Sequence, residues 1–234
     1  MEHKRLTLFA GHYGSGKTNI AVNYAIALAK EGKQVVIGDL DIVNPYFRTK
    51  DSEKELKDAG VTLISPQFAN SNVDLPALPA EAYRLVEDTS VYGIMDIGGD
   101  DRGAYALGRY VPAIRKENNY RMVFVTNCYR PLTRTPEEAM EVMREIETAC
   151  GLAFTDIINN SNLGPETTTE TVLSSLDYME RLSKLSGLPV FAHTAERSVA
   201  EALAGRLEPV FPLRLQEKYF DLPSQKPGNR PLWG

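Results

Sequence analysis

Short apolar runs and amphipathic stretches alternate along almost the whole chain. Strand-like runs fall at Leu6–Ala10, Val35–Gly38, Val61–Ile64, Val91–Ile97, Met122–Thr126, Phe154–Asn159 and Val190–His193. Helix-period segments lie between them. Asn19–Glu31 places Ile20, Tyr24 and Leu28 on one face and ends at Gly32. Pro136–Cys150 opens on proline, carries acidic residues in its first turn and ends at Gly151; these are the signals that start and stop a helix. Gly164–Leu185 and Arg197–Ala204 follow a similar pattern. Strands alternating with helices of this length predict an α/β fold: a mainly parallel, twisted sheet flanked by helices in three layers.

At 234 residues the chain can bury a sizeable core. The pattern is read as one domain over residues 1–220, followed by a Pro/Gly-rich tail over 221–234, DLPSQKPGNRPLWG. A net charge of −5 gives no electrostatic case for nucleic acid, which requires a clustered excess of Lys and Arg. No apolar run is long enough to span a bilayer, and LEPVFPLRLQEKYF carries two prolines, which makes it a poor amphipathic anchor. The opening residues MEHKRLTLFA lack the apolar length and cleavage site of a secretory signal, so the expected location is cytoplasmic. Cys128 and Cys150 have neither metal-ligand spacing nor a disulfide framework.

In a parallel sheet, ligands bind at the carboxyl ends of the strands. That rule selects GHYGSGKT, GDLDIVNPYFR, DIGGDDRG and NNSNLG. The first contains G-x-x-x-x-G-K-[ST] as Gly11, Gly16, Lys17 and Thr18, between a strand-like run and a helix-like one. Glycines at these positions let the backbone curl so that several N–H groups face one phosphate chain. Lys17 is then placed to reach the β- and γ-phosphates, and the Thr18 hydroxyl to ligate Mg²⁺.

The metal and an attacking water also require carboxylates. Asp96 ends the run VYGIMD and suits a Walker B role toward Mg²⁺, while Gly99 three residues on offers a backbone N–H to a γ-phosphate. A solvated aspartate before a Gly-Gly turn would show the same letters. In DLDIVN, Asp39 and Asp41 fall on the same face of an extended chain. Two neighbouring carboxylates repel unless a cation or donor lies between them. Asp41 is the candidate for orienting the hydrolytic water and contributing to the metal site, and Asp39 for supporting the metal shell. A hydrogen-bonded loop turn is the simpler alternative.

The loop near the N-terminus, the helix, GKQVVIGDLD and the strand ending DIGG resemble, in that order, the MinD/ParA/CobQ-type P-loop nucleotide-binding proteins. This branch also holds the nitrogenase iron protein, dethiobiotin synthetase and cobyrinic acid amide synthases. The resemblance runs from about Arg5 to Leu203 and implies a P-loop NTPase fold binding Mg·ATP. It places phosphates on Gly14, Ser15, Gly16 and Lys17, Mg²⁺ on Thr18, the first switch at Asp41 and the second at Asp96–Gly99. By resemblance to the iron-protein branch, Asn160-Ser161 is placed at adenine, where an amide can donate and accept at once; an Asn in a turn is the alternative. HTAER (His193–Arg197) is expected to flank the base. More narrowly, DIVNPYFR, IGGDDRGAYALGRY and TNCYRPLTRT resemble a bacterial ATP-binding subgroup of this branch.

The phosphate loop departs from the ParA/MinD pattern at two positions. An extra lysine and a glycine are replaced by His12 and Tyr13. That lysine crosses a dimer interface to the partner's phosphates, so the ATP-sandwich dimer does not carry over on this motif, and a homodimer stays open. Arg48, Arg102, Arg130 and Arg134 sit in predicted strand-end loops, where arginine binds phosphate or carboxylate bidentately. Tyr46 and Phe47 stand beside the first switch. The resemblance implies adenine rather than guanine, and no [NT]-K-x-D guanine motif is present. Three functions fit these letters: an ATPase switch or maturation factor acting on a partner protein, an ATP-dependent ligase or kinase acting on an anionic small molecule, and a nucleotide sensor that does not hydrolyse.

Overall fold

The strands of the chain are β1 (Leu6–Ala10), β2 (Val35–Leu40), β3 (Thr62–Ile64), β4 (Tyr92–Ile97), β5 (Tyr120–Thr126), β6 (Asp156–Asn159), β7 (Val190–Glu196) and β8 (Val210–Leu213). They form one sheet in the order β3-β2-β4-β1-β5-β6-β7-β8. Every neighbouring pair is parallel. This computed structural model describes residues 3–40, 49–65, 80–99 and 101–215. The helices are α1 (Lys17–Lys30), α2 (Glu53–Asp58), α3 (Arg84–Glu87), α4 (Asp101–Gly108), α5 (Val111–Glu117), α6 (Pro136–Cys150), α7 (Thr169–Leu173), α8 (Leu176–Ser186) and α9 (Arg197–Leu203). The expected α/β architecture of a parallel sheet flanked by helices is what forms.

Alternation along the strands separates two cores. Leu8, Ala10, Met95, Ile97 and Phe124 face a cluster with Leu107, Ile114, Met143 and Leu182. Their sequence neighbours Phe9, Ile94, Val123 and Val125 join Ile37 in facing Ile20, Tyr24 and Leu28 of α1 and Leu56 of α2. The loop after β1 therefore leads to a helix on one face, while those after β4 and β5 lead to α4 and α6 on the other. This divergence opens a crevice at the carboxyl end of β1, the usual ligand position in such sheets.

Local chemistry sets the helix ends. Thr135 and Glu138 form a reciprocal capping box at the start of α6, with Pro136 in its first turn, and Gly151 ends it at φ 73°. The single helix expected over Gly164–Leu185 is instead a 3₁₀ turn at Gly164–Glu166, then α7, then α8. Thr168 caps α7 through its hydroxyl, and Ser174 and Ser175 separate the two helices; short hydroxyl side chains compete for backbone groups in this way. Val210–Leu213 forms an edge strand although it contains Pro212, a position where a missing N–H is tolerated. Residues 216–234, including the expected tail, lie outside the described residues.

At the opposite end of the sheet, the buried Arg5 pairs with Glu117 and donates to the carbonyls of Leu85 at 2.9 Å and Val91 at 3.3 Å. This charge holds the start of β1 to the loops around it and is remote from the crevice.

Candidate functional site

The loop Gly11–Lys17 fills the mouth of the crevice, and its glycines are required by space as well as by dihedral angle. A Cβ on Gly11 would lie 2.3 Å from the Val125 carbonyl oxygen of β5. Gly16 has φ 89°, and a Cβ there would meet Nδ2 of Asn160 at 2.2 Å. Gly14, at φ 76°, has nothing near it, so its requirement is the left-handed backbone alone. The Ser15 N–H donates to the His12 carbonyl at 3.1 Å, closing the turn that leads into α1. Lys17 and Thr18 follow in the first turn of that helix, both buried.

Ser15 carries the most direct sign of a ligand. Its hydroxyl is buried and has no hydrogen-bond partner among the described residues. Leaving a buried hydroxyl unsatisfied costs about 1–3 kcal/mol, and the loop's N–H-rich concavity is suited to an anion that would engage it.

Two carboxylates stand beside the loop. Asp39 of β2 and Asp96 of β4 are register partners across the ladder. They are 2% and 0% exposed. Both share the parity of Ile37 and Ile94, so both point to the α1 face. Parallel strands lie about 4.8 Å apart, so the two carboxyl groups stand close together at the carboxyl ends of β2 and β4. Such a pair is suited to a cation. Among the described residues no cluster of three or more His, Cys, Asp or Glu forms a metal site by itself. A cation held here would take its other ligands from the Thr18 hydroxyl, from phosphate or from water. Asp41, expected to orient water, lies outside the described residues, as do Arg48, Tyr46 and Phe47.

Gly99 closes the crevice from the β4 side. A Cβ at this position would lie 2.8 Å from the Tyr13 nitrogen and 3.0 Å from the Gly11 carbonyl oxygen. The backbone of DIGG thus packs directly on the phosphate loop, and Gly103 in α4 packs on Gly98 just as closely. Tyr13 itself is exposed, and His12 Nδ1 lies 3.1 Å from the Tyr13 carbonyl oxygen.

Beyond β5 and β6 the crevice wall is a buried polar network. Asn160 donates Nδ2 to the Ser15 carbonyl at 2.6 Å, and its Oδ1 accepts from the Thr194 hydroxyl at 2.6 Å. Asn127 Oδ1 accepts from the Tyr129 and Asn162 N–H groups, and the Ser161 hydroxyl accepts from the Cys128 N–H. His193 lies behind Asn160, its Nδ1 3.0 Å from Asn159 Nδ2. Burial pushes the His193 imidazole below its usual range and the Cys128 thiol above its own. Arg130 and Arg134 are exposed on the loop after β5, and the side chain of Arg102 lies outside the described residues.

The structure thus brings Gly11–Thr18, Asp39, Asp96, Gly99 and Asn160 around one crevice. Sequence reading missed Thr49, whose hydroxyl reaches Asp96; it quoted the segments that hold Asn127 and Thr194 but did not assign the hydrogen bonds these two make. Each of these bonds joins the residue to a partner distant in sequence.

Comparison with known proteins gives the same architecture. The profile of the CobQ/CobB/MinD/ParA nucleotide binding domain matches residues 6–168. Solved structures similar to the chain include the cell division protein FtsY of Thermotoga maritima, at 17% identity and TM-score 0.54, covering 81% of this chain and 60% of that one. FtsY of Mycoplasma mycoides has 18% identity and TM-score 0.54, with the same coverages of 81% and 60%. Chloroplast FtsY of Physcomitrella patens has 18% identity and TM-score 0.52, with coverages of 81% and 58%. The chain thus spans about three-fifths of the length of these proteins, and the likeness is one of fold. No curated protein sequence matches.

Proposed function

We propose an ATP-driven switch on one premise: this chain belongs to the CobQ/CobB/MinD/ParA nucleotide-binding domain family. The observation that carries the reading is the buried Asp39–Asp96 pair beside a phosphate loop whose Ser15 hydroxyl has no partner among the described residues. The loop amides of Gly14–Lys17 would bind the phosphates, with Lys17 placed against the β- and γ-groups. Thr18 and Asp96 would hold Mg²⁺, with Asp39 supporting that shell. When bound, the ion would neutralise charge developing on the phosphates. Asp41 is assigned the attacking water, holding it in line with the γ-phosphate. Gly99, already packed on the loop, would report the γ-phosphate to α4 through its backbone N–H. Asn160 supports the loop from the side proposed for adenine.

In this reading, occupancy of the γ-phosphate position governs a partner protein, and the domain acts in the cytoplasm as a switch or maturation factor. No helix among the described residues is long and apolar enough to cross a membrane. A second reading, an ATP-dependent ligase or kinase, is favoured by one observation. His12 and Tyr13 occupy the two loop positions that distinguish ParA/MinD-type dimers, while Arg130 and Arg134 lie exposed on the next strand-end loop, available to an anionic substrate.

Purified protein incubated with ATP and GTP in parallel, with Mg²⁺ or EDTA, tests both readings. Slow Mg²⁺-dependent loss of ATP, abolished by Asp41→Ala with nucleotide binding retained, is the expected result. Preferential turnover of GTP would overturn the adenine assignment. A small carboxylic acid or alcohol that accelerates turnover and emerges phosphorylated would replace the switch with a ligase or kinase. Binding without turnover under all conditions would leave a sensor.

A further inference from the structure

The hydroxyl of Thr49 donates to Oδ2 of Asp96 at 3.0 Å, and Thr49 is fully buried, at 0% exposure. It opens a 3₁₀ turn, Thr49–Ser52, that runs directly into α2. That turn is not loosely held. Leu56 of α2 is completely buried in the core shared with Ile20, Val35 and Ile37, and Ser52 is buried beside the turn. Packing from the α2 side therefore fixes the position of the Thr49 hydroxyl. On its other side, Thr49 is joined through residues 41–48 to Leu40, the last residue of β2, whose register partner on β4 is Ile97. Both ends of that connection meet the β2–β4 ladder within one residue of Asp96.

A hydrogen bond on one carboxylate oxygen has a specific chemical consequence. It fixes rotation of the Asp96 carboxylate about its Cβ–Cγ bond and satisfies one lone pair of Oδ2. Outer hydrogen bonds of this kind orient metal-binding groups, and losing one typically lowers metal affinity about 10–100-fold.

We propose that Thr49 is a positioning residue for Asp96, setting how strongly Mg²⁺ and nucleotide bind together. The inference rests on the reading that Asp96 serves Mg²⁺. Thr49→Val keeps the shape of the side chain and removes the donor; Thr49→Ser keeps the donor.

The measurement is binding of mant-ATP and mant-GTP by fluorescence, each in EDTA and across a Mg²⁺ titration, together with the melting temperature of each variant. Thr49→Val is expected to bind nucleotide in EDTA within about twofold of the unsubstituted protein. The affinity gained on adding Mg²⁺ should fall about tenfold, with half-saturation shifted to higher Mg²⁺. Thr49→Ser should restore both. A merely structural role would lower the melting temperature and leave the Mg²⁺ gain unchanged, and that result overturns the proposal. So does a Thr49→Ser variant that behaves like the valine. If the valine variant does not fold, Thr49→Ala carries the same expectation. If the unsubstituted protein binds nucleotide with no Mg²⁺ gain at all, the assignment of Asp96 fails and takes this inference with it. A Mg²⁺ gain that survives in Thr49→Val removes the inference alone.

Discussion

Asn160 donates its side-chain amide to the carbonyl of Ser15 at 2.6 Å, joining the end of β6 to the centre of the phosphate loop. The amide is oriented by Thr194 on β7, and Gly16 has no Cβ that would block it. Ser15 thus gives its carbonyl to Asn160, while its hydroxyl has no partner among the described residues. The wall expected to face the base and the loop expected to face the phosphates form one hydrogen-bonded unit.

Replacing Asn160 with Ala therefore tests which end of the nucleotide this residue serves. Loss of the amide leaves the Ser15 carbonyl and the Thr194 hydroxyl without these bonds, at about 1–3 kcal/mol. Affinities for ATP, GTP and tripolyphosphate, measured by calorimetry, should fall together by about tenfold. An ATP-selective loss, with tripolyphosphate binding intact, would instead assign Asn160 to the base.

The roles proposed for Asp39 and Asp96 differ, so their amide variants should differ too. Asp96→Asn weakens the proposed cation ligand itself, and the Mg²⁺ needed for half-maximal nucleotide hydrolysis should rise about 10–100-fold. Asp39→Asn acts on the supporting carboxylate and should shift the same midpoint by less. Equal Mg²⁺ midpoints in both variants and the unsubstituted protein, read from turnover against free Mg²⁺, would remove the cation site from this ladder.

Much of this arrangement was legible because the relevant signals are local. The strand Leu6–Ala10 and the helix Pro136–Cys150 fall at the bounds their letters imply, since alternation, proline and capping residues act within a few positions. The loop glycines are equally local. β8 was missed because Val210–Leu213 is short and contains proline, and only its place at the sheet edge makes it a strand. Thr49 carries no motif, and Thr194 stands in HTAER without a sign of its partner; their bonds reach residues 47 and 34 positions away. Asn127 shows the same limit, since its amide joins β5 to the chain after β6. Such contacts are set by sheet order, which local spacing does not encode.

The contact between Gly99 and the phosphate loop gives a prediction with its own control. A Cβ at Gly99 must displace backbone atoms at 2.8 and 3.0 Å, an overpacking that typically costs about 1–3 kcal/mol. Gly99→Ala should lower both the melting temperature and nucleotide affinity. At Gly108, at the end of α4, an added Cβ would meet, among the described residues, the Cys150 carbonyl oxygen at 3.7 Å, an ordinary van der Waals contact. Gly108→Ala should leave affinity unchanged and raise stability by about 0.4–1 kcal/mol through the unfolded chain. Parallel melts with and without nucleotide distinguish the two; matched behaviour would mean that the Gly99 contact does not matter.

His193 gives the site's wall a pH dependence whose sign follows from its surroundings. Asn159 Nδ2 is a donor, so the Nδ1 it meets at 3.0 Å accepts, and the neutral ring carries its proton on Nε2. The same Nδ2 donates to the Ser175 hydroxyl and Oδ1 accepts from the Ser161 N–H, so the Asn159 amide is held in this orientation and does not turn its oxygen toward a charged ring. Protonating Nδ1 would set two donors against each other in a buried space. Burial accordingly pushes His193 below its ordinary value of 6.5. Because the folded form resists the proton, the unfolded chain takes it up first as pH falls. The contribution to stability is complete above pH 6.5 and declines below it, toward the lower folded value, by at most about 1.4 kcal/mol per pH unit. His193→Asn keeps a short acceptor for Asn159 and cannot titrate. The melting temperatures of the two proteins, compared from pH 7.5 to 5.5, should therefore converge at the acid end. About 1 kcal/mol corresponds to about 2–4 °C in a chain of this size. A constant difference across the range would show that His193 is protonated as readily in the folded protein as in the unfolded one, and that its hydrogen bond to Asn159 does not hold the ring neutral.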